Sequence, residues 1–276
     1  MKNLIEEYNK EYRSYKNNLY FKLSFLLFVF VAPFIPLAIY FNQSGPFLKT
    51  LFWIFASIIF IILLVFLALS FYVSERPMYE FLYKKVIDQV FEDDPTHYEY
   101  ESFPLTIEFI EKGKLFSKAH SEVVRYRLSY YYLNNRIDIY SFYAYSKTEK
   151  SNKPVFNGIY MVLHCNNQSS FEIRTKGKLK YINDQLKKIE SNERYEVYRA
   201  DDNPLPHYAN KIFNDLINQY NKHIYISGAR KEIHIAIDEL YNDLAPKELN
   251  EDQLNELKKQ ISSLVSLGRS IYKSLE

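Results

Sequence analysis

Residues 136–146 read RIDIYSFYAYS, a run whose side chains fall into two interleaved sets. One set is Ile137, Ile139, Tyr143 and Tyr145, and the other is Asp138, Tyr140, Phe142 and Ala144. Successive strand residues point to opposite faces of a sheet, so this period of two predicts a β-strand. Three neighbouring segments are also rich in Val, Ile, Tyr and Phe and are bounded by Asn, Ser or Pro turns: Glu122–Leu133, Val155–Cys165 and Phe171–Thr175. Four such segments in succession predict an antiparallel meander.

Further strands and several helices flank this meander. Strands are predicted at Tyr195–Arg199, Lys222–Ile226 and Ile233–Ile237. Helical spacing of apolar residues predicts helices at Ser74–Asp94, Pro104–Glu111, Lys178–Glu190, Pro204–Tyr220 and Asn250–Leu275. The last helix carries an apolar stripe that Gly268 interrupts, and we expect it to pack on its own strand layer: Leu254, Leu257, Ile261, Leu264 and Ile271. The sequence therefore predicts an α+β domain over residues 74–276.

The N-terminal part contains two long uncharged segments, Leu23–Phe41 and Leu51–Val73. About twenty apolar residues in a helix cross the roughly 30 Å hydrocarbon core of a bilayer. The sequence therefore predicts a transmembrane helical hairpin over residues 23–73. Pro33 and Pro36 lie inside the first span, where they mark either a static kink or a hinge.

The basic residues around these segments predict an orientation. Five Lys and Arg residues lie in the flank 1–22, and Arg76, Lys84 and Lys85 follow the second segment, whereas the intervening loop holds only Lys49. The positive-inside rule places both termini in the cytoplasm. The expected location is therefore the bacterial cytoplasmic (inner) membrane, with a multi-pass anchor, the lipid bilayer as an integral partner and a cytoplasmic domain.

Charge and cysteine content exclude some functions. The chain has 35 basic and 33 acidic side chains, of which six and three lie before Glu75, leaving 29 and 30 in the domain that follows. This balance gives no electrostatic reason to bind nucleic acid. Cys165 is the single cysteine, which excludes an internal disulfide and a thiolate-rich zinc site.

Two short motifs stand out in the strand-rich part, VFNGIY at residues 155–160 and YEVYRADD at residues 195–202. Both resemble motifs of an uncharacterised bacterial membrane-protein family, catalogued as domain of unknown function 3137. Residues 155–160, VFNGIY, are similar to an F-x-G strand of that family. Residues 195–202, YEVYRADD, followed by a helix and Ile224–Ile226, are similar to its aromatic-x-Val-Tyr strand and acidic turn. The resemblance implies a two-helix hairpin with a cytoplasmic mixed domain. It implies no catalytic residue, because none is established for the family.

Common catalytic signatures are absent from the sequence. Gly158, Gly177 and Gly228 stand alone, so no glycine-rich phosphate loop of the P-loop or dinucleotide type occurs. Neither G-x-S-x-G nor H-E-x-x-H is found. We assign no catalytic, cofactor-binding or metal-ligating residue and expect no cofactor, and whether the chain is an enzyme stays uncertain, with a non-enzyme favoured.

The histidines and the cysteine form two weak constellations. His164 and Cys165 are adjacent, but neighbouring strand side chains point to opposite faces, so they cannot act as base and thiol. Cys165 is instead predicted to be a small buried apolar residue. His223 and His234 could approach across a hairpin, yet two ligands without a third make a poor metal site.

Three polar clusters each have a structural and a functional interpretation. Asp201-Asp202-Asn203-Pro204 could bind a cation or perform acid–base chemistry, but capping of the following helix is the favoured interpretation. Arg125 and Arg127 among tyrosines (Tyr126 and Tyr130–Tyr132) suit either a nucleic-acid platform or a half-buried strand. The run Lys176–Lys188 suits either a solvated helix face or a contact with anionic lipid.

Three function hypotheses follow. The leading one is a non-enzymatic, membrane-anchored cytoplasmic module that binds a protein partner or regulates it. The alternative is a membrane-tethered enzyme, for example a hydrolase, that uses Asp201 and Asp202. The third is an accessory subunit of a transporter, although neither span holds an ionisable residue. An exposed apolar patch or sheet edge would favour the first, and a polar cluster in a deep pocket the second.

Overall fold

The computed structural model of the chain divides into two compact units. They are Met1–Tyr83 with Ala245–Leu254, and Lys84–Leu244 with Asn255–Glu276. We call them the N-terminal unit and the sheet unit. The structure describes residues 2–31, 34–42, 45–50, 52–58, 61, 76–94, 96–104, 115, 121–148, 151–166, 169–176, 185–191, 193–201, 204–229, 231–240 and 248–275.

The N-terminal unit is helical. It contains α1 (Lys2–Val31), α2 (Phe34–Asn42), helical residues at 46–50 and 52–58, and the start of α3 (Arg76–Val90). Tyr8 is fully buried and packs against Tyr12 and Phe81, with ring centroids 6.2 and 6.5 Å away. The Asn9 side chain donates to the Leu249 carbonyl and accepts from the Leu249 N–H, both at 2.9 Å. This pair of bonds ties the segment before the C-terminal helix to α1.

The predicted membrane spans are corrected by the structure. Within Leu23–Phe41, the structure describes α1 up to Val31 and α2 from Phe34, and residues 32–33 lie outside the described ranges. Within the described ranges, no helix has both the length and the apolar character that a bilayer crossing requires. This finding overturns the transmembrane hairpin in the predicted fold and the multi-pass inner-membrane location drawn from it.

Parts of the N-terminal prediction fall outside what the structure describes. Of Leu51–Val73, only residues 52–58 and 61 are described. Pro33 also lies outside, whereas Pro36 is the third residue of α2.

The sheet unit is built on one nine-stranded antiparallel sheet of order β1-β2-β3-β4-β9-β8-β5-β7-β6. The strands are β1 (Tyr98–Ser102), β2 (Ser121–Tyr132), β3 (Asn135–Thr148), β4 (Ser151–His164), β5 (Phe171–Thr175), β6 (Lys187–Ser191), β7 (Tyr195–Arg199), β8 (Ile224–Ala229) and β9 (Glu232–Asp238). The seven predicted strands correspond to β2–β5 and β7–β9. The two sheet edges, β1 and β6, were not predicted.

The strand order differs from the predicted four-strand meander. β2, β3 and β4 are neighbours, but β5 pairs with β7 and β8, and the β8–β9 hairpin separates it from β4. All five residues of β5 are buried, so this strand belongs to the interior of the sheet. β6 lies in the segment predicted as the helix Lys178–Glu190, and residues 178–184 and 105–111 are outside the described ranges.

One face of the sheet carries helices. α4 (His207–Tyr220) buries Ala209, Ile212, Phe213 and Leu216, and its Phe213 ring lies 5.1 Å from that of Tyr195 in β7. α5 (Glu251–Lys273) crosses β2–β4, where the Tyr130 hydroxyl donates to the Val265 carbonyl at 3.0 Å. The predicted docking of this helix on the strand layer is therefore confirmed.

Gly268 lies where α5 packs directly against the sheet. A Cβ added there would lie closer to the Tyr130 hydroxyl than the 3.0 Å that real Cβ atoms essentially never cross, and 3.3 Å from Ile137 Cγ2. Tyr130 is fully buried. The residue predicted to interrupt the apolar stripe is thus the residue that lets the helix reach the strands.

Candidate functional site

The strands that join the two halves of the sheet bring four titratable side chains together. β4 pairs with β9 across some seventy residues of chain, and this register puts His164 opposite Glu232 and Val162 opposite His234. On its other side β4 pairs with β3, where Val162 lies opposite Asp138. Paired residues share a face. Asp138, His164, Glu232 and His234 therefore lie on the face opposite α5, and we call them the seam network.

The seam network is a continuous chain of polar contacts. His164 Nε2 lies 2.8 Å from Asp138 Oδ2, and His164 Nδ1 lies 3.2 Å from Glu232 Oε1. Glu232 Oε2 is 3.2 Å from His234 Nε2, and His234 Nδ1 is 3.1 Å from the Tyr160 hydroxyl. Exposure falls along it, from 38% for the His164 side chain to 14% for Glu232 and 0% for His234.

Mutual contacts shift the pKa values of His164, Glu232 and Asp138. Hydrogen bonds to Asp138 and then Glu232 raise the pKa of His164 to about 9. The hydrogen bonds from His164 and His234 hold the Glu232 pKa well below its usual range. Burial alone would raise the Asp138 pKa, but hydrogen bonds from His164, Ser129 and Arg136 outweigh burial and lower it. Arg136 Nε donates to Asp138 Oδ1 at 2.8 Å.

This arrangement favours cross-linking of strands over proton transfer. With its pKa near 9, His164 is a cation at neutral pH, and both of its ring nitrogens face carboxylates. A general base needs a neutral nitrogen directed at the substrate. In the described part of the chain, no three His, Cys, Asp or Glu side chains are placed to hold a metal ion. His164 and the neighbouring Arg136 offset the charges of Asp138 and Glu232, so that removing either cation would leave a carboxylate of low exposure without that partner.

The structure also locates Cys165 and His223, the other two candidates that the sequence offered. Cys165 follows the last residue of β4 and is half-buried, and its N–H donates to the Lys231 carbonyl at 2.9 Å. The His223 carbonyl accepts from the N–H of Asp238, four residues along β9 from His234. Four strand residues span about 13 Å, so His223 and His234 do not form a ligand pair.

Asp201, the described acidic residue of the cluster before α4, does not cap that helix. The N-cap of α4 is Pro206, with no side-chain cap hydrogen bond, so the capping prediction is wrong for Asp201. Asp201 Oδ1 instead accepts from Arg199 Nε at 2.7 Å, and Arg199 Nη1 donates to the Pro204 carbonyl at 2.5 Å. Arg199 is buried, so Asp201 neutralises a buried guanidinium. Asp202 and Asn203 lie outside the described residues.

The arginine–tyrosine cluster is divided between the core of the sheet and its surface, where Tyr131 is 44% exposed. Tyr126 and Tyr130 are buried, Arg127 forms a 3.0 Å ion pair with Glu101, and the Arg125 guanidinium lies 6.0 Å from the Tyr143 ring. These tyrosines therefore do not present a stacking platform for bases. In the lysine run, Lys188 of β6 is 2.5 Å from Glu196, and residues 177–184 are outside the described ranges.

The N-terminal unit exposes large apolar side chains that the sequence analysis did not treat as a binding surface. Phe21, Phe25 and Phe28 of α1 are 71%, 62% and 70% exposed. Their spacing of four and three residues puts them on one helix face, and we call them the phenylalanine stripe. Further exposed side chains lie in α2 and at 47–61: Ile35, Leu37, Ile39, Tyr40, Phe47, Leu48, Trp53, Ile54, Phe55, Ile58 and Ile61. Most of these residues lie in or beside the uncharged segments that predicted membrane spans, so the apolar sequence itself indicated this surface.

Comparisons with known proteins add little to this description. No family model matches the chain, and a search of the curated proteins also finds no match. The resemblance to domain of unknown function 3137 therefore stays a prediction. Among solved structures, the crystal structure of the mycobacterial trehalose monomycolate transport factor A, TtfA, aligns at 10% identity with a TM-score of 0.36. The alignment covers 67% of this chain and 95% of that chain, and at this TM-score it supports no argument about fold or function.

Proposed function

We propose that this chain is a protein-interaction module that binds a protein partner through the apolar side chains of its N-terminal unit. The observation that carries the proposal is the phenylalanine stripe, three rings on one face of α1 that are each more than 60% exposed. Monomeric soluble proteins rarely leave contiguous apolar patches larger than a few hundred Å² open to water. A surface of this kind is typical of a binding site.

The area of the stripe can be compared with the free energy that association costs. Three phenylalanines at this exposure offer roughly 400 Å² of apolar area, and burying that area would contribute about 10 kcal/mol. Association costs about 4–15 kcal/mol in lost translational and rotational freedom, before any ordering of side chains. The stripe alone therefore does not guarantee a stable complex. Additional exposed residues, such as Phe47 and Trp53, must contribute as well.

The sheet unit supplies charge–charge and packing contacts that suit a stable scaffold. The seam network joins β3, β4 and β9, and α5 covers β2–β4. The enzyme hypothesis gains no such support, because Asp201 is held by Arg199 and His164 is held by two carboxylates. The exposed apolar surface, in contrast, is the feature that the interaction hypothesis requires.

The test compares co-purification by three full-length tagged proteins. They are the wild type, a stripe variant with Phe21→Ser, Phe25→Ser and Phe28→Ser, and a control with Tyr131→Ser, Leu133→Ser and Ile189→Ser. The control residues are also exposed, at 44%, 54% and 42%, but belong to the sheet unit. We expect at least one protein species to be recovered with the wild type and the control and to be lost with the stripe variant.

The opposite result is also clear. Equal recovery of every protein by the stripe variant and the wild type would overturn the proposal, provided that both variants are folded. Far-ultraviolet circular dichroism verifies folding, because the nine-stranded sheet gives a strong signal that does not depend on the stripe.

A further inference from the structure

We propose that the outer side of β1 is a docking site for an extended segment of another protein, which pairs with β1 as an additional antiparallel strand and carries alternating basic and apolar side chains. This site belongs to the sheet unit and is separate from the phenylalanine stripe. It depends on three observations: the backbone groups that β1 directs away from β2, the groove beside them, and the charges of the strand.

The backbone of β1 offers hydrogen-bonding groups on its outer side. β1 is an outer strand of the nine-stranded sheet, and among the described residues β2 is the strand that pairs with it. The Phe103 N–H donates to the Arg125 carbonyl of β2 at 2.8 Å. Such bonds involve every second residue of an antiparallel strand, so the N–H and C=O groups of Tyr98, Tyr100 and Ser102 point away from β2. We call these groups the β1 edge, and groups of this kind are a template for pairing with an extended chain.

A groove adjoins the β1 edge. Its volume is about 390 Å³, and its six lining residues all belong to the sheet unit: Lys84, Asp88, Thr96, His97, Tyr98 and Tyr100. The Tyr98 hydroxyl donates to Asp88 Oδ1 at 2.5 Å, which fixes α3 beside β1 as one wall of the groove. Residues opposite each other in paired strands share a face. Every second side chain of an added strand would therefore point into this groove, next to Tyr98 and Tyr100.

The charges of β1 determine which strand fits. Glu99 and Glu101 are exposed and alternate with the tyrosines, so they lie on the other face of the strand. Glu101 forms a 3.0 Å ion pair with Arg127, yet its side chain stays 47% exposed. An added strand thus meets two carboxylates on one face and two tyrosines on the other. Lysine or arginine opposite the carboxylates and β-branched or aromatic residues opposite the tyrosines make favourable cross-strand pairs.

A second copy of this chain does not meet this requirement. If two β1 strands paired about their centre, Glu99 of each copy would lie opposite Glu101 of the other. Like charges directly opposite each other destabilise a strand pair. β6 lacks the pattern as well, because its sequence KKIES places Lys188 and Glu190 on one face. The favoured occupant is therefore a basic segment of a different protein.

Fluorescence anisotropy of labelled peptides mixed with the purified full chain tests the proposal. The probe is a seven-residue peptide of sequence threonine-lysine-valine-lysine-valine-lysine-threonine, and the matched peptide has glutamate in place of each lysine. We expect saturable binding of the lysine peptide with an affinity about tenfold higher than that of the glutamate peptide, because two cross-strand pairs change from attraction to repulsion.

Methylation of the peptide backbone separates strand pairing from simple charge attraction. In the paired strand the valine N–H groups face Tyr98 and Tyr100, whereas the lysine N–H groups point away from β1. We expect methylation of both valine nitrogens to weaken binding on the order of tenfold, because two hydrogen bonds are lost. Methylation of two lysine nitrogens is the matched control and should change the affinity by less than about twofold.

Two variants of the chain test the same site from the protein side. Glu99→Lys with Glu101→Lys should reverse the preference, so that the glutamate peptide binds more tightly than the lysine peptide. Glu190→Lys with Glu193→Lys, at exposed positions in or near β6, is the control with the same change in charge and should keep the original preference. Ser102→Pro removes an outward N–H group while leaving the bonds to β2, and should weaken binding of the lysine peptide without any change in charge.

Several results would overturn the proposal. Equal binding of the two peptides, or no loss of binding on valine methylation, would show that charge or apolar contact alone holds the peptide. Absence of saturable binding up to about 1 mM peptide would also overturn it. A wild-type dimer in light scattering that Ser102→Pro converts to a monomer would show that a second copy takes the edge. These results leave the proposed function intact, because that function is tested through the phenylalanine stripe.

Discussion

Gly158 of β4 lies directly against the backbone of β9. A Cβ added there would lie within 3.0 Å of the Ile237 carbonyl oxygen, a separation that real Cβ atoms essentially never show, and 3.1 Å from Asp238 Cα. Both neighbours are backbone atoms of the paired strand and cannot rotate away. The glycine of the VFNGIY motif is therefore explained by the seam between the two halves of the sheet.

Replacing this glycine should destabilise the sheet unit. We expect Gly158→Ala to lower the free energy of unfolding by about 3 kcal/mol, the upper part of the usual range for overpacking, because the strands must separate. Urea denaturation followed by circular dichroism measures the effect. Gly45→Ala is the matched control, since nothing lies within 4 Å of a Cβ at that position. Equal stability of the two variants would contradict this account of the seam.

His164 gives the seam a defined pH dependence. Its pKa is raised to about 9, above the ordinary value near 6.5, because its cation is bound by Asp138 and Glu232. A raised pKa in the folded state contributes stability that is complete below pH 6.5 and is lost as pH rises through 9. We expect the urea midpoint to fall over this interval for the wild type and to fall less for His164→Gln. His207→Gln, at an exposed position, is the control, and identical pH profiles for wild type and His164→Gln would refute the prediction.

The environment of the His164 side chain was predictable from the sequence only in part. Strand alternation correctly separated its side chain from that of Cys165. Its real partners could not be found, because Glu232 is nearly seventy residues away and reaches His164 only through the β4–β9 register. Gly268 is similar: the sequence shows a gap in an apolar stripe, and only the packed structure shows Tyr130 in that gap.

At the scale of elements, α5 is held on the sheet by both apolar and polar contacts. Its buried residues include Ile261, Leu264 and Ile271. Near its end, Arg269 donates to Asp94 and, at 3.3 Å, to the Thr96 hydroxyl, and its guanidinium lies 5.8 Å from the rings of Tyr130 and Tyr132. These contacts fix the rotation of the helix as well as its position.

A truncation inside this packed stripe should be costly. We expect Leu264→Ala to lower the free energy of unfolding by about 2–5 kcal/mol, because a 2% exposed leucine leaves a cavity when it is shortened. Lys259→Ala on the exposed face of α5 is the control and should change stability by less than about 0.5 kcal/mol. Thermal unfolding of the full chain distinguishes the two. A Leu264→Ala protein as stable as the control would show that α5 does not cover the strands.

Elements were predictable where the apolar pattern is strong and not elsewhere. Apolar and polar side chains alternate over many residues in β3 and β4, and α5 carries a regular apolar stripe, so all three elements were predicted. β6 has no buried residue, and its Lys-Lys-Ile-Glu-Ser sequence gives no period of two. Lysines suit such an edge because they hinder pairing with another chain. The strand order could not be predicted from the sequence either, because β8 and β9 take their place beside β4 through pairing between residues far apart in the chain.

At the scale of the whole chain, the same apolar residues support two different predictions. Uncharged segments of nineteen and twenty-three residues predicted membrane spans, because the mean hydropathy of a segment depends only on which residues it contains. Among the residues that the structure describes, however, no helix is both long and apolar enough to cross a bilayer. The exposed apolar residues of these helices form the surface on which the proposed binding of a partner rests.

The central claim is that a protein covers this surface in the cell, and photo-cross-linking at Phe25 tests it most directly. A benzophenone amino acid is placed at Phe25 of the full chain, with the same probe at Tyr131 of the sheet unit as control. After irradiation of living cells, we predict a protein adduct from position 25 that is absent from position 131. An unshifted chain at position 25, or adducts with lipid alone, would contradict the claim.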